Sequence, residues 1–197
     1  MTESVQMKRP RARNARPLIE GAALRLFVDK GVDAATTREI AVEAGVSEGA
    51  LYRHYKSKDE LALALFMETH NRLGKMMLDA WQEGGTLEAR IRRLVTAYCT
   101  LADEDWLLFS FHLLSINKYV PHDVRRDDDP VTIVETMLKG AMDEGMIPHG
   151  EPEILGAMAL GVMMQAGNNK AYNRLPGPFS RHIDSFTRAI VAILEQR

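Results

Sequence analysis

The sequence predicts an all-α protein of about nine helices, a small N-terminal three-helix unit followed by a larger helical body. Three observations carry this. Along the 197 residues there is no strand-like alternation of apolar and polar residues bounded by turn residues. Apolar residues instead recur at helical spacing in nearly every segment. The segments are separated by helix punctuation: glycines after a last apolar turn, prolines at a first helical position, and Ser, Thr or Asp just ahead of it.

The first helix is expected from Ala15 to Lys30, with Leu18, Ala22, Leu26 and Phe27 on one stripe and Gly31 as its stop. Two short helices follow, over 37–44 and 48–55. A long one runs from Lys58 to Glu83 and ends at Gly84-Gly85. Thr86 opens a fifth, whose apolar face is Ile91, Leu94, Val95 and Tyr98. A very apolar sixth spans 105–117, and Pro121 breaks the pattern. Asp129 followed by Pro130 reads as the start of a seventh, which ends near Gly145. The last two cover 152–172 and 178–196. Helices are short before Lys58 and long after it. This gives a basic arm over 1–14, a helix-turn-helix unit over 15–62 and a helical body over 63–197.

The chemistry concentrates in TTREIAVEAGVSEGALYRHYKSKDEL, residues 36–61. Thr36 with Glu39, and Ser57 with Glu60, match the capping box, in which hydroxyl and carboxylate satisfy orphaned backbone N–H groups. Ser47 can cap the third helix, Ala41 allows a close helix crossing, and Gly45 suits the tight turn. Ile40, Val46 and Leu51 then fall inward against Leu24 and Phe27, and Tyr55 follows Leu51 to the same side. Glu48, Gly49, Tyr52 and Arg53 fall outward. An Arg there can bond guanine bidentately, a Glu can accept from cytosine, and a glycine lets the duplex come close. Tyr52, His54 and Lys58 carry donors suited to phosphate oxygens.

This run resembles the DNA-binding signature of the TetR family of bacterial transcriptional regulators. The likeness lies in the capped second helix, the I-A-x-x-A-G-V-S turn, the L-Y-x-H recognition helix and the S-K-x-E-L opening of the fourth. It covers residues 15–65. The resemblance implies a homodimer on a near-palindromic double-stranded operator. It implies phosphate contacts from Thr37, Tyr52, His54 and Lys58, and base-facing positions at Glu48, Gly49 and Arg53. Arg38 and Ser47 complete the candidate set. Tyr55 departs from a family position that is often Phe, and the one carboxylate of the face, Glu48, repels phosphate unless it meets a base donor.

The resemblance further implies a ligand pocket in the helical body and a dimer interface on the last two helices. The sequence supports each independently. Met77 and Trp81 on the fourth helix, Trp106, Phe109 and His112 on the sixth, and Met137 and Met164 beyond supply adaptable apolar surface. His112, Asn117 and Gln165 are candidate polar orienting groups. A Met and aromatic stripe is equally what a plain core looks like. For the interface, Ala157, Gly161 and Gln165 recur at four-residue intervals, and Ile183, Phe186, Ile190 and Ile193 or Leu194 form a second stripe. The same helices could simply close the core of one chain.

Composition bounds the alternatives. With 46% hydrophobic and 26% charged residues the chain reads as globular, and it carries one cysteine, Cys99. No window approaches a membrane-spanning length, and the basic N-terminus lacks the apolar middle of a secretory signal, so a cytoplasmic protein is expected. Net charge is −2, yet Lys8, Arg9, Arg11, Arg13 and Arg16 make the first sixteen residues basic, which would confine polyanion contact to one end. Asp127-Asp128-Asp129 and the histidines at 112, 122, 149 and 182 lack metal-site spacing, and no nucleophile or phosphate-loop motif occurs. No enzyme activity, cofactor or metal is expected. The leading function is a ligand-responsive repressor released by a small apolar or aromatic effector. The alternatives are a constitutive DNA-binding regulator and, behind it, an all-helical enzyme.

Overall fold

The computed structural model describes residues 15–120 and 129–196. The basic arm (apart from Arg16), Pro121, His122 and Asp127-Asp128 lie outside the described residues. Among those described, nine α-helices occur and no strand: α1 (Ala15–Lys30), α2 (Thr37–Glu43), α3 (Glu48–Tyr52), α4 (Lys58–Gln82), α5 (Leu87–Glu104), α6 (Trp106–Tyr119), α7 (Pro130–Asp143), α8 (Pro152–Ala171) and α9 (Ile183–Leu194). The chain divides into two compact units, 1–65 and 66–197. Helix α4 contributes its first turns to one and the remainder to the other.

In the first unit the predicted caps organise the backbone. Thr36 Oγ1 accepts from the Glu39 amide at 3.2 Å while the Glu39 carboxylate accepts from the Thr36 amide at 2.9 Å, a complete capping box. Ser57 accepts from the Glu60 amide at 3.0 Å, but Glu60 reaches back to the Lys56 amide rather than to Ser57. The second box is therefore half formed. Gly45 turns the chain with φ of 67°, where a side chain would be strained. Ile19, Ala22, Ala23, Phe27, Ile40 and Leu51 are buried. Two expectations fail here. Leu18 faces outward and Ile19 takes its place, because the buried stripe of α1 is rotated by one residue. Val46 is only half-buried, since it lies in the turn.

Helix α3 is also shorter than the apolar spacing suggests. It stops at Tyr52, and the amides of both His54 and Tyr55 turn back to the Leu51 carbonyl at 2.9 and 3.0 Å. Arg53 and His54 therefore sit on the closing turn. Tyr55 is buried and donates its hydroxyl to Glu20. Burial first, and the Glu20 carboxylate second, push this phenol up to about 12.

The second unit is a helical bundle in which α5 packs on α9, α7 on α8, α8 on α9, and α6 on both α5 and α8. Thr86, Asp105 and Asp129 cap α5, α6 and α7, with Pro130 at the first position of α7 as expected. Arg93 closes the end of α4 by donating to the carbonyls of Ala80, at 2.9 Å, and Gly84. The last helix is not continuous from 178. A 3-10 turn, Phe179–His182, precedes α9, because the Asp103 carboxylate gathers the amides of Phe179 and Ser180 at 2.7 and 2.9 Å. On α9 the stripe Ile183, Phe186, Ile190 and Leu194 belongs to the core of its own unit, which corrects its assignment to an interface. An exposed stripe of apolar and small residues runs along α8 at Ile154, Ala157, Met158, Gly161 and Met164, while Leu78, Leu114 and Val131 are exposed on other helices.

Candidate nucleic-acid interface and effector cavity

One face of the first unit gathers polar side chains from α2, α3 and the turn after it. Thr37 Oγ1 lies 3.4 Å from a Glu48 oxygen and 3.4 Å from the Tyr52 hydroxyl. Glu48 therefore has a role inside the face, as the acceptor that orients Thr37 beside Tyr52. The acids of α2 are already matched: Glu43 pairs with Arg25 at 2.8 Å and Glu39 with Lys30 at 2.5 Å. Arg38, Arg53 and His54 are exposed, and among the described residues Arg38 and Arg53 have no ion-pair partner. The result is a surface that presents cations and hydroxyls while its carboxylates are occupied. Tyr52 is half exposed, at 50%. A methyl at Gly49 would meet only Ser47 Oγ at 4.0 Å, so nothing within the protein demands a glycine there.

Two candidates do structural work in addition. Ser47 accepts from the Ala50 amide at 3.2 Å as the cap of α3. Lys58 Nζ donates to the carbonyls of Asp33, at 3.0 Å, and Ala35, at 2.8 Å, so two of its three donors tie the loop after α1 to the start of α4. Sequence spacing could not show this, because those carbonyls lie 23 and 25 residues away.

The second unit encloses a cavity of about 150 Å³. One wall is α4, where His70, Leu73, Met77 and Trp81 follow one another at helical spacing. They span about 16 Å of axis at 1.5 Å per residue. Of the eight residues expected to line a pocket, Met77, Trp81, Phe109, His112, Met137 and Met164 do so. Trp106 does not. Its ring meets Phe179 edge-on at 5.8 Å with Lys170 Nζ 5.0 Å from its centroid, so it braces the 3-10 turn. Gln165 is exposed and bonds Asn169 at 3.3 Å, and Asn117 is exposed. Both miss the cavity because their positions fall on the outer faces of α8 and α6.

The cavity wall is apolar apart from His70, His112, Asp129 and the phenol of Tyr98. His70 Nδ1 and His112 Nε2 are 3.2 Å apart, and His70 Nε2 lies 3.5 Å from an Asp129 oxygen. Phe66 stacks on both imidazoles, with ring centroids 5.2 and 4.7 Å away. Burial, with His70 adding to it, pushes the His112 imidazole down to about 3, so it is neutral. The other oxygen of Asp129 accepts from the amides of Val131 and Thr132 at 3.0 and 3.1 Å. One side chain thus caps α7 and faces the histidine pair. Outside the lining, Arg90 lies over Trp81, 4.9 Å from the ring centroid, and pairs with Glu144 at 3.0 Å. Sequence reading missed His70. Its spacing with Leu73, Met77 and Trp81 is visible along α4, but its pairing with His112, 42 residues on, is not. Among the described residues no group of three or more His, Cys, Asp or Glu converges as a metal site.

The first unit is thus a capped helix-turn-helix with an exposed cationic face, and the second is a cavity-bearing helical unit. The family model described as bacterial regulatory proteins, tetR family, matches residues 19–65. The match places a TetR-type helix-turn-helix within residues 19–65. The transcriptional activator FasR of Mycolicibacterium smegmatis is 35% identical over 99 residues, covering 50% of this chain and 44% of FasR. The transcriptional regulator AcrR of Shigella flexneri is 37% identical over 68 residues, covering 34% of this chain and 32% of AcrR. The chain thus spans less than half the length of either relative. Among solved structures, FadR of Bacillus subtilis in complex with stearoyl-CoA matches with a TM-score of 0.70 at 18% identity, over 90% of this chain and 98% of that one. PfmR of Thermus thermophilus matches at 0.73 and 22%, over 91% and 99%. At such identities the likeness is one of fold.

Proposed function

We propose that this protein is a transcriptional regulator that binds a near-palindromic operator as a homodimer and is released by a low-polarity effector held in the cavity of the second unit. The observation that carries the proposal is helix α4. It has Lys58 in its first turn, on the helix-turn-helix face, and His70, Leu73, Met77 and Trp81 along the cavity wall. One helix thus carries residues of both candidate sites.

Thr37, Tyr52, His54 and Lys58 meet phosphates, while Arg53 and the open surface at Gly49 meet base edges in the major groove. Arg38 adds charge to the same surface. Two half-sites require two copies, with recognition helices roughly 34–36 Å apart to enter successive major grooves. The exposed stripe of α8, together with Ala189 and Ala192 on the outer face of α9, offers a small-residue surface for that pairing. An effector that fits the cavity best in a non-binding conformer shifts the dimer away from that spacing. Moving the population from 1:99 to 99:1 takes about 5.5 kcal/mol of differential affinity. The stearoyl-CoA found with the FadR of Bacillus subtilis supports a chain-like apolar effector for the cavity here.

The test selects fragments of the source genome on the purified protein, then titrates the recovered operator with and without a panel of apolar and amphiphilic compounds. A bound, inverted-repeat fragment released by at least one compound is the expected result. Operator binding that no compound alters, with no compound raising the melting temperature, would leave a constitutive regulator instead. Failure to enrich any fragment would remove the DNA-binding reading.

A further inference from the structure

Tyr98 of α5 lines the cavity, and neighbouring rings fix its orientation. Phe109 meets it edge-on with ring centroids 4.9 Å apart, and Phe179 does so at 6.3 Å. Its hydroxyl oxygen is buried, yet among the described residues no protein group hydrogen-bonds it. Burial first, and Cys99 second, push this phenol above its ordinary value, so it keeps a proton to donate. Most buried polar atoms in a fold are paired, and leaving one unpaired costs about 1–3 kcal/mol. A ligand that only donates would leave that proton without a partner. A ligand acceptor would satisfy it.

Because the oxygen is shut in, a ligand reaches it only if a neighbour moves. The point where a side chain at Gly167 would begin lies 3.5 Å from this oxygen and 2.6 Å from Leu113 Cδ2. Leu113 also lines the cavity. The hydroxyl is therefore flanked by a residue without a side chain and by a leucine tip, which can change rotamer. We propose that Tyr98 is a polar anchor of the cavity, donating to a carbonyl-type oxygen of the effector once Leu113 turns aside. This rests on reading the cavity as an effector site. The effector is then an apolar molecule carrying a hydrogen-bond acceptor, in place of a bare hydrocarbon. Leu73, Met77 and Trp81 offer dispersion contacts to its apolar part.

The probes 2-octanone and 2-methyl-1-octene exchange C=O for C=CH2 at nearly constant shape, so the pair isolates the acceptor. Each is titrated into the full chain and into Tyr98→Phe, followed by tryptophan fluorescence, since Trp81 lines the cavity. In Tyr98→Phe the ketone is expected to bind about tenfold more weakly, the size of one net hydrogen bond. The alkene should bind as before. Without ligand, Tyr98→Phe should melt no lower than the unaltered protein, because it removes a hydroxyl with no bond to lose. Equal changes for ketone and alkene would assign Tyr98 to packing, overturning the anchor and leaving the effector cavity standing. Binding of the alkene alone to the unaltered protein would overturn the anchor too. So would a Tyr98→Phe protein that melts well below the unaltered one or does not fold, since its hydroxyl must then be satisfied without ligand. If neither probe binds the unaltered protein, the effector cavity fails and the anchor with it.

Discussion

Single residues here often serve two purposes. Glu39 closes the capping box on Thr36 and also pairs with Lys30. The Lys30 ammonium and the Thr36 hydroxyl and amide pull its carboxyl down from 4.5 to about 2. A depressed carboxyl stabilises the fold above its ordinary value and loses that effect as pH falls through the folded one. The melting-temperature gap between the protein and Glu39→Gln should be full at neutral pH, shrink below about pH 4.5 and close near pH 2. A gap independent of pH would assign the effect to packing. Thr36→Ala should cost about 1 kcal/mol by the loss of the cap, read by denaturant unfolding. Arg53 and Lys58 should separate by assay. Arg53→Ala costs roughly 1–3 kcal/mol of operator affinity, concentrated at one base position, with the melting temperature unchanged. Lys58→Ala should weaken all sequences alike, flatten the salt dependence and also lower the melting temperature, because its ammonium holds two loop carbonyls. The caps were legible in the sequence because they are local. The second role of Lys58 was not, because its partners are distant in the chain.

Whole elements show where periodicity misleads. The apolar stripe of α9 was legible, but a stripe does not say which apolar surface it meets, and this one faces its own unit. Helix α3 was expected to reach Tyr55 and ends at Tyr52 because the closing turn satisfies the Leu51 carbonyl twice. Close approach between elements is equally invisible along the chain. Gly167 of α8 sits so near α6 that a methyl added there would lie 2.6 Å from Leu113 Cδ2, and Leu113 lines the cavity. Gly167→Ala should therefore push Leu113 toward the cavity, costing about 1–3 kcal/mol of stability as overpacking. It should also shorten the longest apolar ligand that binds, read by calorimetry along an alcohol series. An unchanged chain-length limit would mean that Leu113 moves elsewhere.

At the scale of the whole molecule the proposed dimer is the point to test. Gly161 lies on the exposed face of α8, and an added Cβ meets nothing within 4 Å inside the chain. Gly161→Arg should leave the fold of a single chain intact by circular dichroism while converting the dimer to monomer in sedimentation. Operator affinity should fall with it, because one copy reads one half-site. A dimer that survives this change would move the interface away from α8.

What the sequence by itself determined was local: the nine α-helices of the described residues and most of their ends, the capped helix-turn-helix, and the outward set Glu48, Gly49, Tyr52 and Arg53. These follow from spacing, caps and turn residues acting over a few positions. What only the tertiary structure decided was which separated residues meet. It joined His70 to His112 and Asp129, gave Glu48 to Thr37, and tied Lys58 to the loop after α1. It also turned the α9 stripe inward and left an apolar stripe exposed along α8. The physical reason is that helical periodicity specifies a face, while its partner depends on how elements far apart in the chain fill one common volume.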